Sequence, residues 1–311
     1  MKATYKGYLY IIASAVIFGC MPLAAGYIYQ DGVNAITLVF LRNLFPLPVL
    51  ALIAAAKGES FRVRLRDIPL VMIMGLLGCA LTALLLFSSY NFMSGGAATV
   101  LHFVYPAVVL LIELAVLRSK IRLPGIIGML LCLGGIATFY TPGEVFSLEG
   151  SLLAIASGVV YAVYIFMLGH FGRRGMGLFV FSFFAQLASA AVLLAACMLT
   201  GQLRLPTTPG GWILSAVFCL VVNVGAIILF QSGTFIIGGR RAAILSTCEP
   251  ITSLVAGYIA LGESIGIMSV IGSALVIAAS VIIAVFDNSE NDSPETDESE
   301  NAEKCKEEFT K

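Results

Sequence analysis

Gly7-Tyr-Leu-Tyr-Ile-Ile-Ala-Ser-Ala-Val-Ile17 and Gly150-Ser-Leu-Leu-Ala-Ile-Ala-Ser-Gly-Val-Val160 agree at six of eleven positions, 143 residues apart. Ala98 and Pro106 recur as Ala242 and Pro250, and Gly128 as Gly272, each 144 residues later. One apolar stretch resembles another by composition alone, but distant segments sharing nearly one offset point to an internal duplication. Composition says what is duplicated. Hydrophobic residues are 59% of the 311 and charged residues 12%, about half the usual soluble share of charge. A soluble fold still needs a polar skin, and this chain cannot supply one. The bilayer is the solvent that fits.

A helix needs about 20 mostly apolar residues to cross the hydrocarbon core. That ruler predicts ten spans, at 7–28, 34–56, 68–90, 95–117, 123–141, 150–170, 177–200, 211–231, 239–262 and 265–286. Connections this short leave no room for an extramembrane catalytic domain. Lys2 and Lys6 precede the first span, which has no cleavage pattern after it and reads as retained. Lys57, Arg62, Arg64 and Arg66 then fall between spans two and three, and Arg118, Lys120 and Arg122 between four and five. Arg173, Arg174, Arg240, Arg241 and three tail lysines fall on that same side, against Arg204 alone on the other. The bias predicts both termini in the cytoplasm of a plasma (inner) membrane protein.

Five spans per copy is an odd number, so the second copy enters the membrane from the opposite face. The expected fold is an all-α polytopic membrane protein, ten transmembrane helices as two inverted five-helix repeats, residues 1–143 and 144–286. Inverted repeats are a device for alternating access: the copies exchange conformations and a central site opens to either side. Residues 287–311 hold ten acidic and three basic residues among Ser, Asn and Pro, and read as a disordered acidic cytoplasmic tail. Its charge of −7 cancels a body of +7, so the formal net charge of zero is a split and not neutrality.

Leu41-Arg42-Asn-Leu-Phe, Ser88-Ser-Tyr-Asn followed by Gly96-Ala-Ala and Tyr105-Pro106, and Pro250 followed by Gly262-Glu263 and Gly272 form a pattern. It resembles the EamA-type branch of the drug/metabolite transporter superfamily across nearly all of residues 5–286. The resemblance implies ten helices around a central cavity and transport of small metabolites. The copies depart from the pattern in two places: copy one has Arg118-Ser119 where copy two has Gly262-Glu263, and copy two has Ala278-Ala279 where copy one keeps Gly134-Gly135. A gate or capping role for Glu263 therefore does not extend to its mate.

Ionisable groups inside the membrane are costly and are functional candidates by default. Glu249 lies on the order of 12 Å into span nine, near the midplane. Pro250 follows it and frees the carbonyl of Ser246 four residues back. Ser246, Glu249, Thr252 and Ser253 share one helical face; helix adhesion through hydroxyls is the alternative use of that stripe. In copy one the matching positions are His102 and Tyr105, with Pro106 freeing the carbonyl of His102. His102 is either a proton-exchanging group or a neutral ring hydrogen-bonded in place. Arg42 either attracts an anion with its fork of donors or serves structure by snorkelling or pairing with a helix end. Asn223, Gln231, Tyr90 and Tyr161 either line a cavity or bridge helices.

Seven cysteines without paired spacing give neither a disulfide framework nor a zinc site. No phosphate-binding loop, H-E-x-x-H or G-x-S-x-G motif occurs. The expectation is thus no enzyme, no cofactor, no metal, no ATP and no nucleic acid. It is a secondary transporter, an exporter, of a small organic metabolite such as an amino acid, acting as monomer or homodimer in the lipid bilayer, with proton coupling one option. A nucleotide-sugar exchanger would want more basic residues than Arg42. A polytopic lipid-modifying enzyme would want clustered carboxylates or histidines at one face.

Overall fold

The computed structural model describes residues 2–117, 123–138, 147–171, 175–237, 245–246, 248–262 and 266–286. Among these every regular element is a helix. Six stretches are long and apolar enough to cross a bilayer: Tyr5–Gln30, Ala35–Ala56, Ile68–Ser89, Leu148–Leu168, Leu178–Thr200 and Pro209–Phe230. The count is six where the sequence predicts ten. The other four predicted spans are helical where described, as Gly95–His102 with Tyr105–Leu117, Leu123–Thr138, Cys248–Leu261 and Ile267–Phe286, but their apolar runs are shorter. Residues 238–244, the tail from 287 and the whole of Glu263 lie outside the described residues.

Large apolar side chains face outward on many helices, as at Leu199 (89% exposed) and Ile259 (75%). In water such a surface would drive aggregation; in lipid it is the ordinary exterior. The protein is a multi-pass membrane protein.

Proline sets where the helices bend. The first stretch breaks at Cys20, two residues before Pro22, and the second at Phe45, before Pro46. Gly95–His102 and Tyr105–Leu117 are separated by a turn at residues 103–104, just ahead of Pro106. A proline offers no N–H to the carbonyl four residues back, so Pro46 frees the carbonyl of Arg42 and Pro106 that of His102. The His102 carbonyl lies against Gly158, where an added Cβ would collide with it.

Two stretches, Leu76–Leu81 and Val221–Ala226, are π-helical and lie 145 residues apart. A third runs from Gly257 to Leu261. Such wide turns shift helical register and recur near functional sites.

The packing is interleaved. Segment 5–30 packs on 209–237 and 248–256, while 148–171 packs on 68–89 and 95–117. Segment 35–56 packs on 178–200, Gly95–His102 on Cys248–Ala256, and Leu123–Thr138 on Ile267–Phe286. Glycines permit the closest approaches: an added Cβ at Gly135 would lie 2.8 Å from the Gly272 carbonyl oxygen.

Carboxylates fasten this arrangement at both ends of segment 35–56. The Glu59 carboxylate accepts the backbone N–H groups of Phe179 and Val180, each at 3.0 Å. These are orphan donors in the first turn of Leu178–Thr200. At the other end Asp31 accepts the N–H of Thr207 at 2.9 Å and of Thr208 at 3.3 Å, ahead of Pro209–Leu220. Beside it the Asn34 side-chain amide donates to the Gln202 carbonyl at 2.7 Å. Desolvation pulls the Asp31 carboxyl upward, but the donors of Thr208 and Thr207 outweigh it and hold its pKa below the ordinary value.

Glu59→Ala should lower stability by about 1 kcal/mol, the worth of a helix cap, read as a lower midpoint in thermal melts of the detergent-solubilised protein. For Asp31 the folded pKa is the lower one, so its contribution is full above the ordinary aspartate range and fades as pH falls through the folded value. The melting temperature of the parent protein should therefore drop below about pH 4 more steeply than that of Asp31→Asn.

Candidate functional site

The centre of the bundle is organised by the carbonyl that Pro46 frees. Asn223, in the second π stretch, donates from Nδ2 to the Arg42 carbonyl at 2.6 Å, while Arg42 Nε donates to Asn223 Oδ1 at 2.6 Å. The same Asn223 amide approaches Gln186 Oε1 at 3.4 Å. Next in sequence, Asn43 donates to the carbonyl of Cys79, in the first π stretch, at 3.2 Å. The pair Arg42-Asn43 is thereby tied to both π stretches. Arg42 does not snorkel: its guanidinium lies 5.4 Å from the centroid of the Phe87 ring, a cation–π distance.

The second part of the site is aromatic. His102, Tyr105 and Tyr161 form a triangle with ring centroids 5.1–5.8 Å apart, and Tyr164 stacks on Tyr161 at 5.9 Å. His102 Nδ1 lies 2.7 Å from the Ser157 hydroxyl. Ser157 gives its one hydrogen to the Ala154 carbonyl at 2.6 Å, so His102 Nδ1 is the donor and Nε2 of the neutral ring is left as an acceptor. This is the hydrogen-bonded use of His102.

Glu249 is half-buried in the first turn of Cys248–Ala256. It is within electrostatic reach of Tyr90, Tyr105, Tyr161 and Arg42. Tyr105 is hydrogen-bonded to Ser246, and Ser253 to Thr99 at 3.3 Å. The polar stripe of this helix thus divides, with Ser246 and Ser253 bridging helices. The Glu249 carboxylate has no hydrogen-bond or ion-pair partner among the described residues.

Tyr90 joins this cluster to open space. Its hydroxyl is buried beside Thr99, and its ring packs on Phe87 at 5.4 Å. Tyr90 and Ser253, together with Tyr29, Met93, Gly96 and Gly257, line a cavity of about 90 Å³. Ser253 is one helical turn beyond Glu249, so the cavity adjoins the face that carries the carboxylate.

Of the residues predicted from sequence, Arg42, Tyr90, His102, Tyr105, Tyr161, Asn223, Ser246 and Glu249 come together here. Gln231 lies within Ile227–Ile237 and Pro106 within Tyr105–Leu117, but their side chains are outside the described residues. Pro250 is buried at the start of its helix. Gln186, Ser157 and Phe87 were not predicted. Gln186 was within reach, because it lies 144 residues after Arg42, the offset of the internal duplication. Among the described residues no group of three or more His, Cys, Asp or Glu is placed to hold a metal.

A sequence profile of the EamA-like transporter family matches this chain twice, over residues 5–141 and 148–285. The uncharacterized inner membrane transporter YicL of Salmonella typhimurium is 25% identical over 305 residues, covering 92% of this chain and 97% of that protein. An uncharacterized transporter of Archaeoglobus fulgidus is 26% identical over 276 residues, covering 88% and 94%. The uncharacterized transporter YcbK of Bacillus subtilis is 27% identical over 297 residues, covering 88% and 90%. One solved structure shares the fold with a TM-score of 0.63 at 18% identity, over 91% of this chain and 97% of that one.

Asn223→Leu would strip partners from the Arg42 carbonyl, from Arg42 Nε and from Gln186 at once. Leaving buried polar groups unmade costs roughly 1–3 kcal/mol. The melting midpoint in detergent should fall accordingly, and by more than for Ser215→Ala, whose hydroxyl has no hydrogen-bond partner among the described residues.

Proposed function

The chain belongs to the EamA-like transporter family, and from that premise we propose that it is a secondary transporter exporting a small polar organic metabolite across the plasma membrane by alternating access. In this reading residues 1–143 and 144–286 are two five-helix copies of opposite orientation, with both termini and the acidic tail in the cytoplasm. Glu249 is the residue that meets substrate or coupling proton, with His102 and Tyr105 as its neighbours and Arg42 opposite.

The packing rule carries this reading. Number the helical segments one to ten along the chain. Segment one packs on eight and nine, and segment six packs on three and four. Adding five to one set, or subtracting it, gives the other. Segments two and seven, four and nine, and five and ten pack on each other. These largest sets of contacts map onto one another when the copies are exchanged, as a two-fold axis between them would produce, while the smaller ones, such as segment four on ten, lack a counterpart of that size among the described residues. The two matches of one family profile and the two π stretches 145 residues apart support the same reading. Such a pair of copies, each able to take the conformation of the other, is the mechanical basis of alternating access.

Purified protein in proteoliposomes should accumulate at least one member of a panel of radiolabelled amino acids, nucleosides and cationic drugs. Glu249→Gln, inserted to the same level, should lower the initial rate at least tenfold. No accumulation of any panel member, or a variant as fast as its parent, counts against the reading.

A further inference from the structure

The connection between segments two and three carries a pattern that the central site does not use. Phe61-Arg62-Val63-Arg64-Leu65-Arg66 alternates apolar and cationic side chains, in a stretch of chain outside any helix. Two of the apolar members turn toward protein. Phe61 packs edge-on against Phe183 at 5.6 Å and Phe184 at 6.4 Å, and Val63 is half-buried in the cluster that holds both rings. The arginines stay exposed, and Lys57 joins them at the start of the loop. The loop's two acids are engaged or buried: the Glu59 carboxylate is taken by the N–H groups of Phe179 and Val180, and Asp67 lies beneath the surface.

A groove of about 280 Å³ begins at Val63, between the arginine loop with the start of segment three and the face of segment seven. Every side chain that lines it is apolar. It follows segment seven from Phe184 to Ala191, about 10 Å along the helix. Its floor is Val71 and Ala188, both buried, and its rim is Met72 and Leu187, each 40% exposed. In a membrane that rim faces acyl chains. An apolar channel that starts among exposed cations has the layout of one lipid molecule, a chain and an anionic head. The connection at the far end of segment seven, residues 201–208, has Arg204 as its one cation, so the feature belongs to one end alone. A second copy docked here about a two-fold axis would set the arginine loop against its own mate, and like charges oppose that.

We propose that this groove binds one anionic phospholipid, its phosphate held by Arg62, Arg64 and Arg66 and one acyl chain laid between segments three and seven. Guanidinium groups suit the head, because a planar fork bonds phosphate oxygens in pairs. Clustered basic side chains at the membrane surface select anionic headgroups by charge. The apolar walls then fix where the lipid sits, since a chain in the groove keeps its head beside Val63. The inference requires a membrane protein and nothing about what the protein carries.

Fluorescence quenching in bilayers tests this. The chain has one tryptophan, Trp212, so Trp212→Phe with Leu187→Trp puts a single fluorophore on the rim of the groove. The full-length protein is reconstituted in mixtures of phosphatidylglycerol and phosphatidylcholine with the same chains, one or the other brominated in its chains as the quencher. Phosphatidylglycerol should be preferred by about tenfold at Leu187→Trp, and by less than about twofold at Leu130→Trp, an exposed position on Leu123–Thr138. Changing Arg62, Arg64 and Arg66 together to Gln should bring the groove value to within about twofold. Raising salt from about 0.1 M to about 1 M should do the same, because the screening length falls from about 10 Å to about 3 Å. Met72→Trp reads the groove from its other wall, should bulk at position 187 distort it. Equal preference at the groove and at Leu130→Trp overturns the proposal, as does a preference that survives loss of the three arginines. Weak quenching by both lipids at both groove positions also overturns it, since protein then covers the groove. So does a preference that emerges only after removal of residues 287–311, since the acidic tail then holds the arginines.

Discussion

Inside a bilayer no water is available to a backbone group that proline has left without a partner, so protein has to supply one. At Arg42 that obligation organises the centre of the molecule. Pro46 frees the carbonyl; Asn223, 181 positions away in sequence, donates to it at 2.6 Å and accepts from Arg42 Nε in return. One side chain thus satisfies a stranded carbonyl and fixes a charged group. The π turn matters because Asn223 lies within it, at a position where regular helical register is displaced. Losing the proline, the wide turn or the amide would free the guanidinium to reach a different partner.

The rest of the assembly is consistent with so rigid a centre. Segment 35–56 is bonded near its start through Asp31 and Asn34 and past its end through Glu59, in each case to segment 178–200 or the turn that follows it. Helix N-termini carry orphan N–H groups and partial positive charge, so a carboxylate is the natural fastener there. Both acids come from the first half of the chain and both recipients from the second. A chain folded as two separate five-helix bodies would not need such cross-links; interleaved helices do, because each half lacks a complete core of its own.

How much of this was legible in the sequence follows from what each feature depends on. Span positions rest on composition over about 20 residues, and among the described residues six of the ten predicted spans are long and apolar enough to cross, the other four holding shorter helices. The freed carbonyl at His102 followed from Pro106, and the turn at residues 103–104 is its outcome. The same rule applied to Pro46 exposes the Arg42 carbonyl. The pairing of His102 with Ser157, 55 residues away, and of Arg42 with Asn223 depends on which helices become neighbours. Periodicity and spacing within one helix carry no record of that. The π stretches were illegible for a related reason: Leu76–Leu81 and Val221–Ala226 contain neither proline nor a charged residue to announce them.

Positions 144 apart carry the last step. Arg42 corresponds to Gln186, Cys79 to Asn223, His102 to Ser246 and Tyr105 to Glu249. At each charged position the corresponding residue in the other half is polar but uncharged. Asn223 bonds to Arg42 and approaches its counterpart Gln186, so the scaffold treats the two alike while only one bears charge. Likewise Tyr105 and Glu249 belong to segments that pack on each other, and only Glu249 carries a carboxyl group. Two identical halves would have placed two arginines or two glutamates around a central axis, and like charges repel. Substituting the counterpart in one half, and the opposite sign in the other, turns a symmetric frame into a dipole.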